Sequence, residues 1–291
     1  MYTKKQFILV AISIFLVSFF VRGIFLGAVD QVVFDEVHFG KFITSYCCSG
    51  ERFFDIHPPV GKLIIAGGAY MAGYRGGFSF DSIGQHFGEI SAISLRIIPA
   101  LAGSLLPVII FIVLRQMGVS LSFSLLGATA VAFDNALIVE SRLVITDSIL
   151  LSATFGALAC AWASVHSKKY WQSLLWAMSA GICSGIALGT KFTGLTGIML
   201  VGVIFLHAAY VGKSGGIRQL FMRIFIAGIA LLGVYTLGWV LHFSLLTMPG
   251  SGDAWGLPTG IFWTDTVTTH QQMISANYNL TADHPYGSKW Y

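Results

Sequence analysis

Residues 7–28 read FILVAISIFLVSFFVRGIFLGA, with Arg22 as the sole charge. At 1.5 Å per residue this run crosses the ~30 Å hydrocarbon core of a bilayer. A signal-peptide core is shorter, about 7–15 residues, and no small-x-small cleavage site precedes a polar mature region. The run is therefore a retained first span. The rest of the chain follows suit. Mean hydropathy is +0.77. Of the 291 residues, 55% are hydrophobic and 10% charged, where a soluble domain carries roughly a quarter. Six further apolar runs fall at about 93–114, 119–138, 143–165, 171–189, 193–211 and 224–246. The expected fold is an all-α polytopic membrane protein with about seven transmembrane helices.

Lysines and arginines between the runs set the orientation. Lys4 and Lys5 precede the first run. Arg115 follows the second. Lys168 and Lys169 separate the fourth and fifth, and Lys213, Arg218 and Arg223 precede the seventh. If every run crosses, all lie on one side, which makes the N-terminus cytoplasmic. The long connection 29–92 and the tail 247–291 are then outer. Residues 62–73, KLIIAGGAYMAG, are apolar but too short to span; they read as a helix lying in the interface or under the protein. In the tail, TDTVTTHQQMISANY reads as a short helix.

The net charge of +4 does not point to nucleic acid, because the basic residues are scattered between apolar runs. Adjacent Cys47 and Cys48 have poor geometry for a mutual disulfide. Cys160 and Cys183, inside apolar runs, read as packing residues. No His/Cys spacing suits a metal, and no repeat is visible. A transporter would show interrupted helices near the midplane and internal repeats; here the polar groups collect in the outer loops.

Those polar groups carry the functional reading. VVFDEVHFG, residues 32–40, places Asp35, Glu36 and His38 directly after the first span. On a helix the two acids point about 100° apart, so one can reach a cavity while the other orients a neighbour. The structural alternative is a pair of acids favouring the positive end of a loop helix. Desolvation beside a bilayer raises a carboxylate's pKa, which suits a general base. FFDIHPPVGK, residues 53–62, is rigid at His57-Pro58-Pro59 and opens a helix pattern. His57 and Lys62 divide evenly between a structural and a functional role. Arg96, Arg142 and Lys191 lie at outer span ends, against the positive-inside bias. They read as snorkelling cations or as anchors for an anionic headgroup. Asp147, one turn into the fourth span, is an ion-pair partner for Arg142 or Lys191. HPYGSKWY, residues 284–291, looks like an interfacial aromatic belt.

In order along the chain, FDEVHFG, FFDIHPPVGKLI, LRIIPALAGSL, ESRLVITDSILL, GIALGTKFTGL and NYNLTADHPYGSKWY resemble the protein O-mannosyltransferase family of GT-C membrane glycosyltransferases. The resemblance implies a GT-C-like helical bundle with 1–291 as a single transferase domain. It implies transfer of mannose from a polyprenyl (dolichyl-type) phosphate to Ser and Thr hydroxyls of proteins on the outer face, inverting, with neither metal nor cofactor. Asp35 matches the family's loop carboxylate and becomes the general base, with Glu36 its orienting partner. Arg96, Arg142, Lys191 and Asp147 become donor-phosphate or ion-pair candidates. His38, His57, Lys62, His284, Tyr286 and Lys289 become substrate-loop candidates. Dimers are common in the family. Its members usually have about eleven spans, so the chain reads as an N-terminal portion that stops before further ones. The absence of a lectin-like insert points to a prokaryotic plasma membrane, with the endoplasmic reticulum the alternative for a eukaryote. The rivals are a GT-C enzyme with a lipid or cell-wall acceptor, a non-enzymatic membrane protein and an inactive fragment.

Overall fold

In the computed structural model, residues 3–212 and 215–279 are described. Most of these residues lie in eleven α-helices: α1 (Lys4–Gly23), α2 (Glu36–Thr44), α3 (Val60–Met71), α4 (Ala92–Gln116), α5 (Leu121–Phe133), α6 (Asn135–Ser141), α7 (Asp147–His166), α8 (Tyr170–Thr190), α9 (Leu195–Tyr210), α10 (Ile217–Leu245) and α11 (Phe262–Tyr278). Short helical turns join some of them, and two isolated β-bridges, Gln31 with His86 and Glu51 with Met248, pin the loops.

Six helices have the length and apolarity of a span, counting α9 with the turn before it, and the bent pair α5–α6 makes a seventh. The third run, expected as a single helix over 119–138, is broken at Asp134 and bent by 54°. Asp134 adopts an extended conformation there, and its carboxylate accepts the Leu137 N–H at 2.9 Å to start α6. Breaking a helix frees carbonyls that hydrocarbon cannot satisfy. Arg22 of α1, fully buried, donates to the carbonyls of Ala132 at 3.0 Å and Val131 at 3.4 Å, and to the Ser18 hydroxyl at 2.8 Å. The lone charge of the first span is thus the partner of the broken one.

Contacts fix the directions of the spans. Phe7 packs on Phe111 and Gly27 lies against Ile93, so α1 and α4 are antiparallel. Ser148 and Ser152 of α7 donate to the carbonyls of Pro99 and Ala102, which sets α7 parallel to α4. Small residues bring α8 against α10: a Cβ on Gly181 would overlap the Ala227 carbonyl, and one on Gly185 would come within 2.8 Å of the Leu231 carbonyl oxygen. Close backbone approach of this kind drives packing where lipid offers no hydrophobic gain. The α3 helix is drawn in under the bundle, with Val60, Lys62, Ile65, Ala66 and Ala69 buried. The expected interfacial stretch is therefore mostly covered by protein. The tail helix forms as read, two residues longer at its start.

The cysteine expectation fails. Cys47 and Cys48 are disulfide-bonded with Cα atoms 3.7 Å apart, inside the π-helical turn Ser45–Ser49. The Cα separation is simply that of neighbours joined by one peptide bond.

Candidate active site

The first loop, α2, the start of α3 and the facing ends of α4, α7, α8 and α10 converge at one end of the bundle. Glu36 is completely buried. Its carboxylate takes a two-pronged bond from Arg96, 2.8 Å from Nε and 2.8 Å from Nη2. It also accepts the N–H groups of Val33 and Val144, both at 2.9 Å. Arg96 spends its remaining donors on the carbonyls of Val29, Gln31 and Leu26. All five guanidinium N–H groups are occupied, so none is left for a phosphate. Of the two readings of Arg96, the ion pair is the one observed. The pair ties the first loop to α4 and to the segment before α7.

Asp35 is the opposite case. It sits at the N-cap of α2, half-buried, and its side chain does not cap the helix. Its main-chain carbonyl accepts the N–H groups of His38 and Phe39. Its carboxylate has no hydrogen-bond or ion-pair partner among the described residues. Glu36 orients it through the backbone, by holding the turn from Val33 in place. His38, next along, is exposed.

Three more cations were candidates. Lys191 binds Asp147 with 2.7 and 2.9 Å contacts, and the two side chains stay 20% and 30% exposed. That pair remains within reach of a ligand. Arg142 donates from Nη2 to the carbonyls of Ile24 and Phe25, closing the end of α1. Asp147 thus takes Lys191 rather than Arg142. Lys62 is buried, bonded to the Asp55 carboxylate and to the His57 carbonyl at 2.7 Å. Burial pulls the Lys62 ammonium below its ordinary pKa, and Asp55 opposes that shift. The ammonium is committed to Asp55 and to the His57 carbonyl. His57 is lowered from its usual value first by burial, with Asp55 and Asp147 opposing and Lys191 and Lys62 adding. Its imidazole is neutral near pH 7. His284, Tyr286 and Lys289 lie outside the described residues.

Asp55, the partner of Lys62, is not among the residues that the sequence offers as candidates. Its spacing of seven residues before Lys62, bracketing the two prolines, was the available clue. Nothing in the sequence links Tyr46 to His242, 196 positions away, yet the phenol and Nδ1 are 2.7 Å apart. Nor does it link Arg52 to Asp253, which pair at 2.6 Å. These contacts frame a cavity of about 630 Å³ lined by Arg52, Phe53, Phe54, His242, Trp255 and Asp265 among others. A small inner space of about 20 Å³ adjoins it, walled by Asp55, His57, Lys62 and Trp239. Asp35 lines neither.

Residues 12–247 match the family described as dolichyl-phosphate-mannose-protein mannosyltransferase. Dolichyl-phosphate-mannose–protein mannosyltransferase 4 of Schizosaccharomyces pombe is 33% identical over 266 residues, which are 86% of this chain and 34% of that protein. Protein O-mannosyltransferase 1 of Drosophila melanogaster is 34% identical over 254 residues, 83% of this chain and 28% of that one. The fold matches the Saccharomyces cerevisiae protein O-mannosyltransferase Pmt1–Pmt2 complex bound to the sugar donor, with a TM-score of 0.76 and 29% identity, covering 87% of this chain and 36% of that chain. The chain spans about a third of the length of these relatives. They are eukaryotic, and the prokaryotic expectation finds no support among them.

Proposed function

Because the chain belongs to the dolichyl-phosphate-mannose-protein mannosyltransferase family, we propose that it transfers mannose from a polyprenyl (dolichyl-type) phosphate to Ser and Thr hydroxyls of proteins, inverting and without a metal. The observation that carries the proposal is the asymmetry of the acid pair: Glu36 is saturated with four bonds and Asp35 beside it is left open. A carboxylate held in a fixed turn, half-shielded and uncommitted, is what a general base requires.

In this mechanism the acceptor hydroxyl attacks the anomeric carbon as the carbon–phosphate oxygen bond breaks. Asp35 takes the hydroxyl proton. The lipid phosphate departs with its negative charge stabilised by Lys191, whose ammonium is partly exposed beside Asp147. Phosphate is a good leaving group, so no second acid is needed, unlike the inverting hydrolases. Arg142 has guanidinium nitrogens beyond the one used on α1 and is the second cation for that charge. Lys5, Arg115, Lys168, Lys169 and Arg218 lie at the opposite end of the spans, which supports an outward-facing site. A two-subunit assembly is proposed on the ground that the solved relative is a Pmt1–Pmt2 complex.

The test is transfer of radiolabelled mannose from polyprenyl-phosphate-mannose to a Ser/Thr-rich peptide in membranes carrying the chain. Asp35→Asn is expected to lower the rate by about 10²–10⁴-fold. Undiminished transfer by that variant removes Asp35 as base. Failure of the wild-type chain to label the peptide removes the proposed reaction.

A further inference from the structure

The Asp55–Lys62 pair has no part in the mechanism above. Lys62 is 1% exposed. A buried ion pair is a poor source of stability, because desolvation offsets the attraction between its members. It is effective at fixing geometry. Lys62 binds both ends of a short segment, the Asp55 side chain and the His57 carbonyl. Pro58 and Pro59 lie within the closed loop and hold their own φ angles.

The loop is anchored on its far side as well. A Cβ on Gly61 would come 2.7 Å from Thr190 Cγ2, and one on Gly238 would come 2.5 Å from Val60 Cγ2. The start of α3 is thereby wedged against α8 and α10. His57 is left at the junction, within electrostatic reach of four charges: Asp55 and Lys62 from its own segment, Asp147 from α7 and Lys191 after α8. Its ring nitrogens make no hydrogen bond among the described residues, although the ring is half-buried. A neutral imidazole in that position has one N–H to give.

We propose that the Asp55–Lys62 pair is a clamp that holds the His57 imidazole within hydrogen-bonding reach of a lipid phosphate seated at Lys191. Lys62 and Asp55 are then positioning residues, and His57 is the group that touches the phosphate. The proposal rests on the reading of Lys191 as the donor-phosphate cation.

The test uses the whole chain in nanodiscs, with a short-chain polyprenyl phosphate as probe and its dissociation constant read from thermal stabilisation. Three variants are compared: His57→Gln, the double Asp55→Asn/Lys62→Met, and the triple combining them. The double removes both charges together, which avoids a stranded buried ion. His57→Gln and the double are each expected to weaken binding about tenfold, the loss of one hydrogen bond to a charged group. The triple is expected to bind no worse than His57→Gln, because the clamp acts through that ring. Wild-type affinity in the double, or an additive loss in the triple, overturns the clamp while leaving the Lys191 reading standing. Absence of binding by the wild-type chain overturns both. If the double does not fold, the His57→Gln arm decides alone, since it leaves the ion pair intact; wild-type affinity there sinks the proposal.

Discussion

Asp35 and Glu36 are neighbours of the same chemistry with opposite surroundings, and they are expected to fail differently. Glu36→Gln leaves the buried Arg96 guanidinium without its counter-charge and places an amide N–H₂ against guanidinium donors. Breaking a buried pair from one side costs about 3–5 kcal/mol. The variant is therefore expected to lower the melting temperature in detergent and the yield of folded protein. Asp35→Asn breaks no bond among the described residues, so it is expected to keep the wild-type melting temperature and lose transfer. Equal melting temperatures for the two variants would refute this division. The sequence marked both acids as a unit. It carried no sign of which would be locked, because Val144 and Arg96 reach Glu36 from 108 and 60 positions away. The same holds for Arg96, where composition left phosphate anchor and ion pair open and only the count of occupied donors separated them.

At the scale of elements, each α-helix of the bundle follows from a run of apolar residues, and each departure from that pattern has a polar cause. The third span bends because Asp134 begins a new helix in its middle, and Arg22 covers the carbonyls so exposed. The α8–α10 contact has a visible source in Gly181 and Gly185, four residues apart in GICSGIALG, while Gly189, next in the series, lies against Val60 of α3. Gly181→Leu is expected to force the two backbones apart, costing about 1–3 kcal/mol or more. Gly233→Leu is expected to be mild, because nothing lies within 4 Å of its Cβ position. Thermal unfolding of both in detergent checks the contrast, and equal losses would show that α8 and α10 do not meet as described. The short α3 was legible as a helix from its proline start. Its burial was not, because an apolar stretch of that length reads alike under protein and at a lipid interface.

For the whole molecule, the distribution of charge makes a prediction about sidedness. In sealed membrane vesicles with the cytoplasmic face outward, membrane-impermeant maleimide is expected to label Lys168→Cys directly, and His86→Cys only after permeabilisation. The reverse pattern would invert the orientation and place the Asp35 turn on the cytoplasmic side. Sequence alone determined the apolar character of the chain, the approximate number of span-length helices and the gathering of polar residues in a few connections. These are consequences of composition and run length, which every residue reports locally. The ordered motifs likewise pointed to the family, and the resemblance made Asp35 a candidate base. Tertiary structure alone decided which charges were spent and which stayed free. Arg96 is consumed by Glu36, Lys62 by Asp55, and Lys191 remains partly open beside Asp147. It also decided that Tyr46 meets His242 and that Arg52 meets Asp253. Ion pairing depends on which helix ends converge, and convergence is set by packing between segments far apart in the chain. No local property of a residue carries that information.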